Sequence, residues 1–315
     1  MRLIKKILRI SLISFTAIAV LISGFLIYYY NKDHTKTLLS GYSPIESVKV
    51  NQVFSDSVSS VLDIVLNTGK ITDFRCYLRV PSGDGPYPVI VLPVGINTGK
   101  DVINLINNPE IIRKYVILSL DYMYDGPTSN VPALEFVGLL PKIRQATFDT
   151  FSGILSAVDY LETRPDVDKD NIFIAGVSFG TFYSITAGAL DKRFKAVVSL
   201  YGAGDISLII KQNVPWGPDF TKGFLGFIAS IIVLPFEPLN IADRISPRHF
   251  LMVNGKNDDF LPVDAVERLY NTAGEPKELI WLDTGHVFAT KNELIAQLAG
   301  ITVDWLDKNV MNEKR

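Results

Sequence analysis

The segment of this sequence most suited to chemistry is a serine between two glycines, Gly-Val-Ser-Phe-Gly at 176–180. It follows a short apolar run and precedes a helical pattern, so it predicts a tight turn from strand to helix. In such a turn Gly176 and Gly180 avoid clashes, and the serine hydroxyl is exposed at the C-terminal edge of a sheet. We therefore predict that Ser178 is a nucleophile, with the N–H of Phe179 directed at a developing oxyanion. A glycine-rich turn with an incidental serine is the alternative.

A serine hydroxyl becomes a good nucleophile only when a base accepts its proton, and histidine is the usual base. The chain has three histidines. His34 lies in a polar segment near the N-terminus, and His249 begins a predicted strand at the end away from the serine. His286 lies on a loop after the last strand-like run, where it can reach the same sheet edge. We therefore predict His286 as the base.

The imidazole in turn needs a carboxylate that fixes its tautomer and stabilises its positive charge. Asp258 and Asp259 follow the strand-like run 250–254 and are adjacent, so their side chains should point in different directions. With either residue, the chain order is serine, aspartate, histidine, as in hydrolases that carry a glycine-flanked serine turn.

The elements that must position these residues alternate between strand-like and helical patterns. The runs 58–66 and 71–80 flank the turn signal Asn-Thr-Gly-Lys and predict an antiparallel hairpin. Later short apolar runs predict parallel strands that are covered on both faces. Helical spacing is clearest over 142–162. The pattern predicts an α/β three-layer domain with a mostly parallel sheet over residues 56–315.

The N-terminus carries four basic residues before an apolar, uncharged run at 10–30 that ends in three tyrosines. A signal peptide and a retained anchor both begin in this way. The run is longer than a typical signal core of about 7–15 residues, and terminal aromatic residues are typical of a membrane interface. We expect residues 1–30 to form a transmembrane anchor, 31–55 a linker, and the remaining chain to lie outside the cytoplasm.

Together, the glycine-flanked serine, the later aspartate and the final histidine resemble the α/β-hydrolase superfamily, in particular its dienelactone hydrolase and prolyl oligopeptidase-like esterase branches. The resemblance covers about residues 56–310. It favours Asp258 as the acid, because the spacing of Gly255, Asp258 and Pro262 matches the G-x-x-D-x-x-x-P pattern of such proteins. Some branches carry the acid after the preceding strand instead, where this chain has Asp205. It also implies a second oxyanion donor after the strand 89–94, where we expect the N–H of Ile96. Relatives often carry His-Gly in that loop, whereas this chain has Val-Gly.

An insertion of about 203–247 separates the sixth and seventh predicted strands, where the resemblance implies a cap over the site. Its segment 224–236 is strongly apolar. We interpret it as a cap helix that packs on the core. A more specific hypothesis is that residues 216–236 line an apolar acyl pocket or contact a membrane surface.

These observations predict a serine hydrolase that cleaves a carboxylic ester, or a related acyl bond, of a small molecule. The apolar insertion is compatible with a lipophilic substrate. An acyltransferase, a peptidase and a non-catalytic, membrane-anchored binding module are the alternatives. The net charge of −2 gives no broad basic surface, so nucleic acid is not expected as a partner. No cofactor or metal motif is visible in the sequence, and the chemistry requires neither.

Overall fold

The computed structural model describes residues 2–95, 97–128, 131, 133–214 and 217–312. The chain divides into two compact units, residues 1–36 and 37–315. The first unit is dominated by one long helix, α1 (Arg2–Asn31). Its segment Arg9–Asn31 has a mean hydropathy of 2.4 over its most apolar window and is long enough to cross a bilayer.

In its described residues, the second unit is built on one nine-stranded sheet. Its strands are β1 (Ile45–Ser55), β2 (Ser59–Thr68), β3 (Phe74–Pro81), β4 (Tyr87–Leu92), β5 (Val116–Leu120), β6 (Val167–Val177), β7 (Phe194–Leu200), β8 (His249–Gly255) and β9 (Lys277–Leu282). The further helices are α2 (Thr35–Leu39), α3 (Pro109–Lys114), α4 (Ala133–Thr163), α5 (Gly180–Leu190), α6 (Ile206–Asn213), α7 (Asp219–Ile232), α8 (Val263–Thr272) and α9 (Asn292–Leu306).

The strand order is β1-β2-β3-β5-β4-β6-β7-β8-β9. Strands β1, β2 and β3 pair antiparallel, β3 pairs antiparallel with β5, and all later pairs are parallel. The predicted hairpin and the mostly parallel sheet are confirmed. Because the parallel strands share one direction, the residues that follow β6, β8 and β9 meet at the same edge of the sheet.

Helices cover both faces of this sheet, as a buried parallel sheet requires. Strand β6 illustrates the arrangement. Ile172 and Ile174 join a core with α4, α5 and α8, whereas Phe173 and Ala175 join a core with α3 and α9 on the opposite face. The predicted three-layer α/β sandwich is therefore confirmed.

Two sequence expectations need correction. The expected linker 31–55 is folded over much of its length, because it contains α2 and the edge strand β1. Strand β1 is largely exposed, so it lacks the buried apolar pattern by which a strand is recognised. The additional strand also shifts the numbering. The insertion lies between the two strands that were expected, but these are the seventh and eighth, β7 and β8, rather than the sixth and seventh.

The insertion between β7 and β8 contains α6, α7 and three short 3₁₀ turns. Glu237 secures the beginning of α6. Its buried carboxylate accepts hydrogen bonds from the N–H groups of Asp205 at 2.8 Å and Ile206 at 2.7 Å. Burial raises the pKa of Glu237, and the backbone donors oppose that rise.

Candidate active site

Ser178 lies in the turn between β6 and α5 with a backbone φ of 52°. Side chains with a Cβ rarely adopt this left-handed conformation, so the turn stores backbone strain at the serine. The surrounding backbone holds it there, because the Ser178 N–H donates to the carbonyl of Leu200 at 2.8 Å. The serine therefore projects from the C-terminal edge of the sheet, as the motif predicts.

The two glycines of the turn allow backbone segments to approach closely. A Cβ on Gly176 would lie 2.6 Å from the carbonyl oxygen of Gly180 and 2.7 Å from the Cα of Thr181. A Cβ on Gly180 would overlap the carbonyl of Pro93 and lie 2.7 Å from the N of Val94. Real Cβ atoms do not tolerate such distances, so glycine is required at both positions.

The imidazole of His286 lies within hydrogen-bond distance of the serine. Its Nε2 is 2.8 Å from Ser178 Oγ. The ring is buried, on the loop that follows β9. Of the other histidines, His249 begins β8 at the end of that strand away from the site, and His34 belongs to the N-terminal unit.

Asp258 completes a hydrogen-bonded chain with this histidine. Its Oδ2 is 2.7 Å from His286 Nδ1, and its side chain is 2% exposed. The other oxygen, Oδ1, accepts from the N–H groups of Phe260 at 2.8 Å and Leu261 at 3.1 Å. These bonds fix the carboxylate in the turn after β8, so its orientation does not depend on the imidazole alone.

The two rival carboxylates lie elsewhere. Asp259 is exposed on the same loop. Asp205 begins α6 in the left-handed conformation, with a φ of 57°, and its carboxylate pairs with Arg268 at 2.5 Å. Of the three candidates, the structure brings only Asp258 to the ring of His286.

The N–H of Phe179 lies at the N-terminus of α5, where the first amides of a helix lack partners within the helix. This position suits an oxyanion donor. Ile96, the expected second donor, lies outside the described residues. Its neighbour Gly95 lines the same cavity as Ser178.

Tyr122 supports this site, and its position just after a strand end is the sequence signal for it. It follows β5, and its hydroxyl donates to the carbonyl of Val94, immediately before the loop expected to hold the oxyanion. Burial raises the pKa of Tyr122 well above its ordinary value, so the hydroxyl keeps the proton that it donates. Its ring packs against Phe179 at 5.4 Å between centroids. Only the tertiary fold brings Tyr122 to both residues.

Aromatic rings surround the imidazole. Phe260 is 4.9 Å and Phe288 5.4 Å from the His286 ring centroid, and both are 45% exposed. Tyr201 approaches the ring edge-on at 5.7 Å. Phe260 lies beside the predicted acid and Phe288 beside the predicted base. Their side chains reduce access of water to the ring and border the approach to Ser178.

A cavity of about 490 Å³ reaches Ser178 and His286. Its walls come from β4 to β7, from α3 and α9, and from the loops after β4 and β9. None of the described residues of the insertion lines it, so the hypothesis that residues 216–236 form its wall is not supported for this cavity. Apolar composition alone could not distinguish packing on the core from a pocket wall.

With this geometry defined, similarity to known proteins becomes informative. The model of the prolyl oligopeptidase family matches residues 143–313, which include Ser178, Asp258 and His286. The acetyl esterase Axe7A of Xylanibacter ruminicola is 24% identical over 286 residues, which cover 83% of this chain and 62% of that protein. The Bacillus subtilis protein YtaP is 33% identical over 116 residues, which cover 36% of this chain and 37% of YtaP. The chain thus matches less than two thirds of the length of either relative.

Solved structures with a similar fold include esterases. The acetyl xylan esterase from Paenibacillus sp. R4 superposes with a TM-score of 0.64 at 19% identity, over 87% of this chain and 93% of that one. This likeness confirms the predicted α/β-hydrolase fold.

Proposed function

Because the chain belongs to the prolyl oligopeptidase family, we propose that it is a serine esterase that forms an acyl-enzyme on Ser178. His286 acts as the general base and Asp258 orients it. The observation that carries this proposal is the hydrogen-bonded chain from Ser178 Oγ through both ring nitrogens of His286 to Asp258. The chain of bonds gives each residue the partner that its role requires.

In the acylation step, Ser178 Oγ attacks the ester carbonyl carbon while His286 Nε2 accepts the hydroxyl proton. The protonated imidazole is stabilised by the adjacent carboxylate of Asp258 at 2.7 Å. The carbonyl oxygen becomes an oxyanion, which the N–H of Phe179 stabilises together with a second donor that we expect at Ile96. When the intermediate collapses, the bond to the alcohol oxygen breaks and His286 returns the proton to that oxygen.

Deacylation repeats these steps with water as the nucleophile. His286 accepts a proton from the water, whose oxygen attacks the acyl carbon and forms a second oxyanion in the same position. The carboxylic acid then leaves, and Ser178 regains its proton. An acyltransferase would differ only in the acceptor, so an alcohol in place of water would give a transferred ester.

Esters are favoured over peptides as substrates by the similarity to Axe7A, which is named an acetyl esterase and matches most of this chain. The family model takes its name from a peptidase, so peptide cleavage is the outcome against which the proposal is tested.

We further propose that the N-terminal helix anchors this activity to a membrane. Arg9–Asn31 spans about 35 Å at 1.5 Å per residue, enough for a hydrocarbon layer of about 30 Å. The basic residues before it favour a cytoplasmic N-terminus and a catalytic unit on the other side. A signal sequence that is removed is the alternative outcome.

The test compares esters and peptides with the full-length protein in detergent. Activity is measured on p-nitrophenyl esters and on proline-containing peptide p-nitroanilides, and a rapid quench followed by mass spectrometry locates the acyl group. The proposal predicts ester turnover and an acyl adduct on the peptide that contains Ser178. Turnover of peptides alone, or of esters without any adduct on that serine, contradicts it.

A further inference from the structure

The cavity at Ser178 extends well beyond the reacting atoms. Ile90 and Leu92, alternate residues of β4, line it on one face of the sheet, and Val94 lines it just beyond the end of that strand. Ile90 and Leu92 are two positions apart, which corresponds to about 7 Å at a rise of about 3.3 Å per residue. The cavity therefore runs from the site at the sheet edge towards the middle of the strands.

The lining changes from polar to apolar along this path. Ser178, His286 and Asn97 lie on loops at the sheet edge. Ile117 lies beside Ile90 within the sheet, and Ile111 and Leu298 add apolar walls from α3 and α9. Thr302 also contributes a hydroxyl, but this group donates to the carbonyl of Leu298 in its own helix at 2.8 Å. The deep part therefore favours an apolar group over water, which needs polar partners.

The size of the cavity sets the size of that group. Its volume of about 490 Å³ is roughly three times that of an apolar cavity, about 150 Å³, that accommodates benzene. An acetyl group would leave most of this wall without contacts, whereas an extended hydrocarbon chain would bury itself along the wall.

The acyl part of the ester is better suited to the cavity than the alcohol part. The acyl group stays attached to Ser178 through both half-reactions, so its contacts can stabilise both transition states. The alcohol departs after acylation, so its contacts with the cavity cannot stabilise the transition state of deacylation.

We propose that this cavity binds the acyl chain and that the preferred substrates are esters of medium-length, unbranched fatty acids. The proposal rests on the proposed ester hydrolysis at Ser178 and specifies its substrate class. The pocket is formed on the face of the sheet that carries α3 and α9, and none of the described residues of the insertion between β7 and β8 lines it.

Ala299 offers a way to shorten the pocket. It lies on α9, is partly exposed and lines the cavity. Ala296, on the same helix, is exposed and is not among the lining residues, so it provides a matched position for the same substitution. Ala299→Phe should fill the cavity, whereas Ala296→Phe should place its ring in solvent.

The experiment measures kcat/KM of the full-length protein in detergent for p-nitrophenyl acetate, butyrate, hexanoate, octanoate, decanoate and laurate. We expect a rise of roughly fourfold per methylene over the first members, because each buried methylene adds to transition-state binding. The profile should peak near octanoate and then fall. A second series of alkyl acetates, from ethyl to octyl, should show a much weaker dependence on chain length.

In Ala299→Phe the ratio of octanoate to acetate activity should fall by about tenfold or more. In Ala296→Phe the ratio should equal that of the wild type. Ala299→Leu, a smaller change, should give an intermediate ratio and replaces Ala299→Phe if that variant does not fold.

The possible failures are distinguishable. A kcat/KM that is highest for p-nitrophenyl acetate and declines with every added methylene overturns the acyl pocket but leaves the proposed esterase intact. An octanoate-to-acetate ratio that is equal in Ala299→Phe and Ala296→Phe has the same consequence. If kcat/KM depends more strongly on chain length in the alkyl acetates than in the p-nitrophenyl esters, the cavity binds the alcohol part and the proposal is also overturned. Absence of turnover on every ester contradicts the proposed function itself.

Discussion

Gly180 lies so close to Pro93 that a side chain on the glycine would overlap the proline carbonyl. The two residues belong to different segments: one begins the helix after the nucleophile, and the other begins the loop expected to hold the oxyanion. The Val177 N–H reinforces the contact by donating to the same carbonyl at 3.0 Å. The distance between nucleophile and oxyanion loop is therefore set by direct backbone packing.

Gly180→Ala should separate these two segments and impair catalysis more than folding. We expect kcat/KM to fall about 100-fold and the free energy of unfolding to decrease by about 1–3 kcal/mol. Steady-state kinetics and thermal denaturation measure the two effects. Gly138→Ala is the control, because a Cβ there meets nothing within 4 Å in the helix α4. Loss of activity in the control, or none in Gly180→Ala, would contradict this account.

The assignment of the acid is tested by two matched substitutions on one loop. Asp258→Asn should lower kcat by about 10⁴-fold, because an amide cannot stabilise the imidazolium and favours the wrong tautomer. Asp259→Asn should change kcat less than about twofold, since that side chain is exposed. Steady-state kinetics of both variants with the same ester measure the two changes in kcat. Equal losses, or a larger loss in Asp259→Asn, would remove Asp258 from the mechanism.

Tyr122 should act as a positioning residue for the loop after β4. Tyr122→Phe removes the hydrogen bond to the carbonyl of Val94 and keeps the ring that packs on Phe179. We expect kcat to fall about tenfold with KM nearly unchanged, because the loop donor acts mainly on the transition state. The control is Tyr124→Phe, whose exposed hydroxyl donates to Pro127 at 3.2 Å. A purely structural role would lower stability without this split between kcat and KM.

Membrane attachment through α1 predicts that the protein sediments with membranes and resists extraction at alkaline pH. Deletion of residues 1–31 should release active protein into the soluble fraction. Protease added to the non-cytoplasmic side should digest the catalytic unit of the wild type. A mature protein whose N-terminus lies beyond the apolar run would instead identify a cleaved signal sequence.

Local patterns predicted a large part of the fold and of the candidate site. The glycine-flanked serine is a local motif, because the turn that it needs is built from adjacent residues. The family resemblance, including its prolyl oligopeptidase-like branch, is confirmed by the matching family model. The choice of Asp258 needed the G-x-x-D-x-x-x-P spacing of a known family, since Asp258 and His286 are 28 positions apart and chain order alone fits all three candidate aspartates.

Other features depend on tertiary structure and could not be predicted in this way. The edge strand β1 has few buried residues and therefore resembles a linker in sequence. The cavity wall combines β4, α3 and α9, whose apolar residues have the same pattern as ordinary core. The apolar insertion, by contrast, has the composition of a pocket wall without lining this cavity in its described residues.

The central claim is that Ser178 is a nucleophile activated by His286. Labelling with a fluorophosphonate probe tests it most directly, because the probe reacts covalently with activated serines. Wild-type protein should gain one adduct on the peptide that contains Ser178, while Ser178→Ala should gain none and His286→Ala should label far more slowly. A folded wild type that never labels, or equal labelling of Ser178→Ala, would contradict the account.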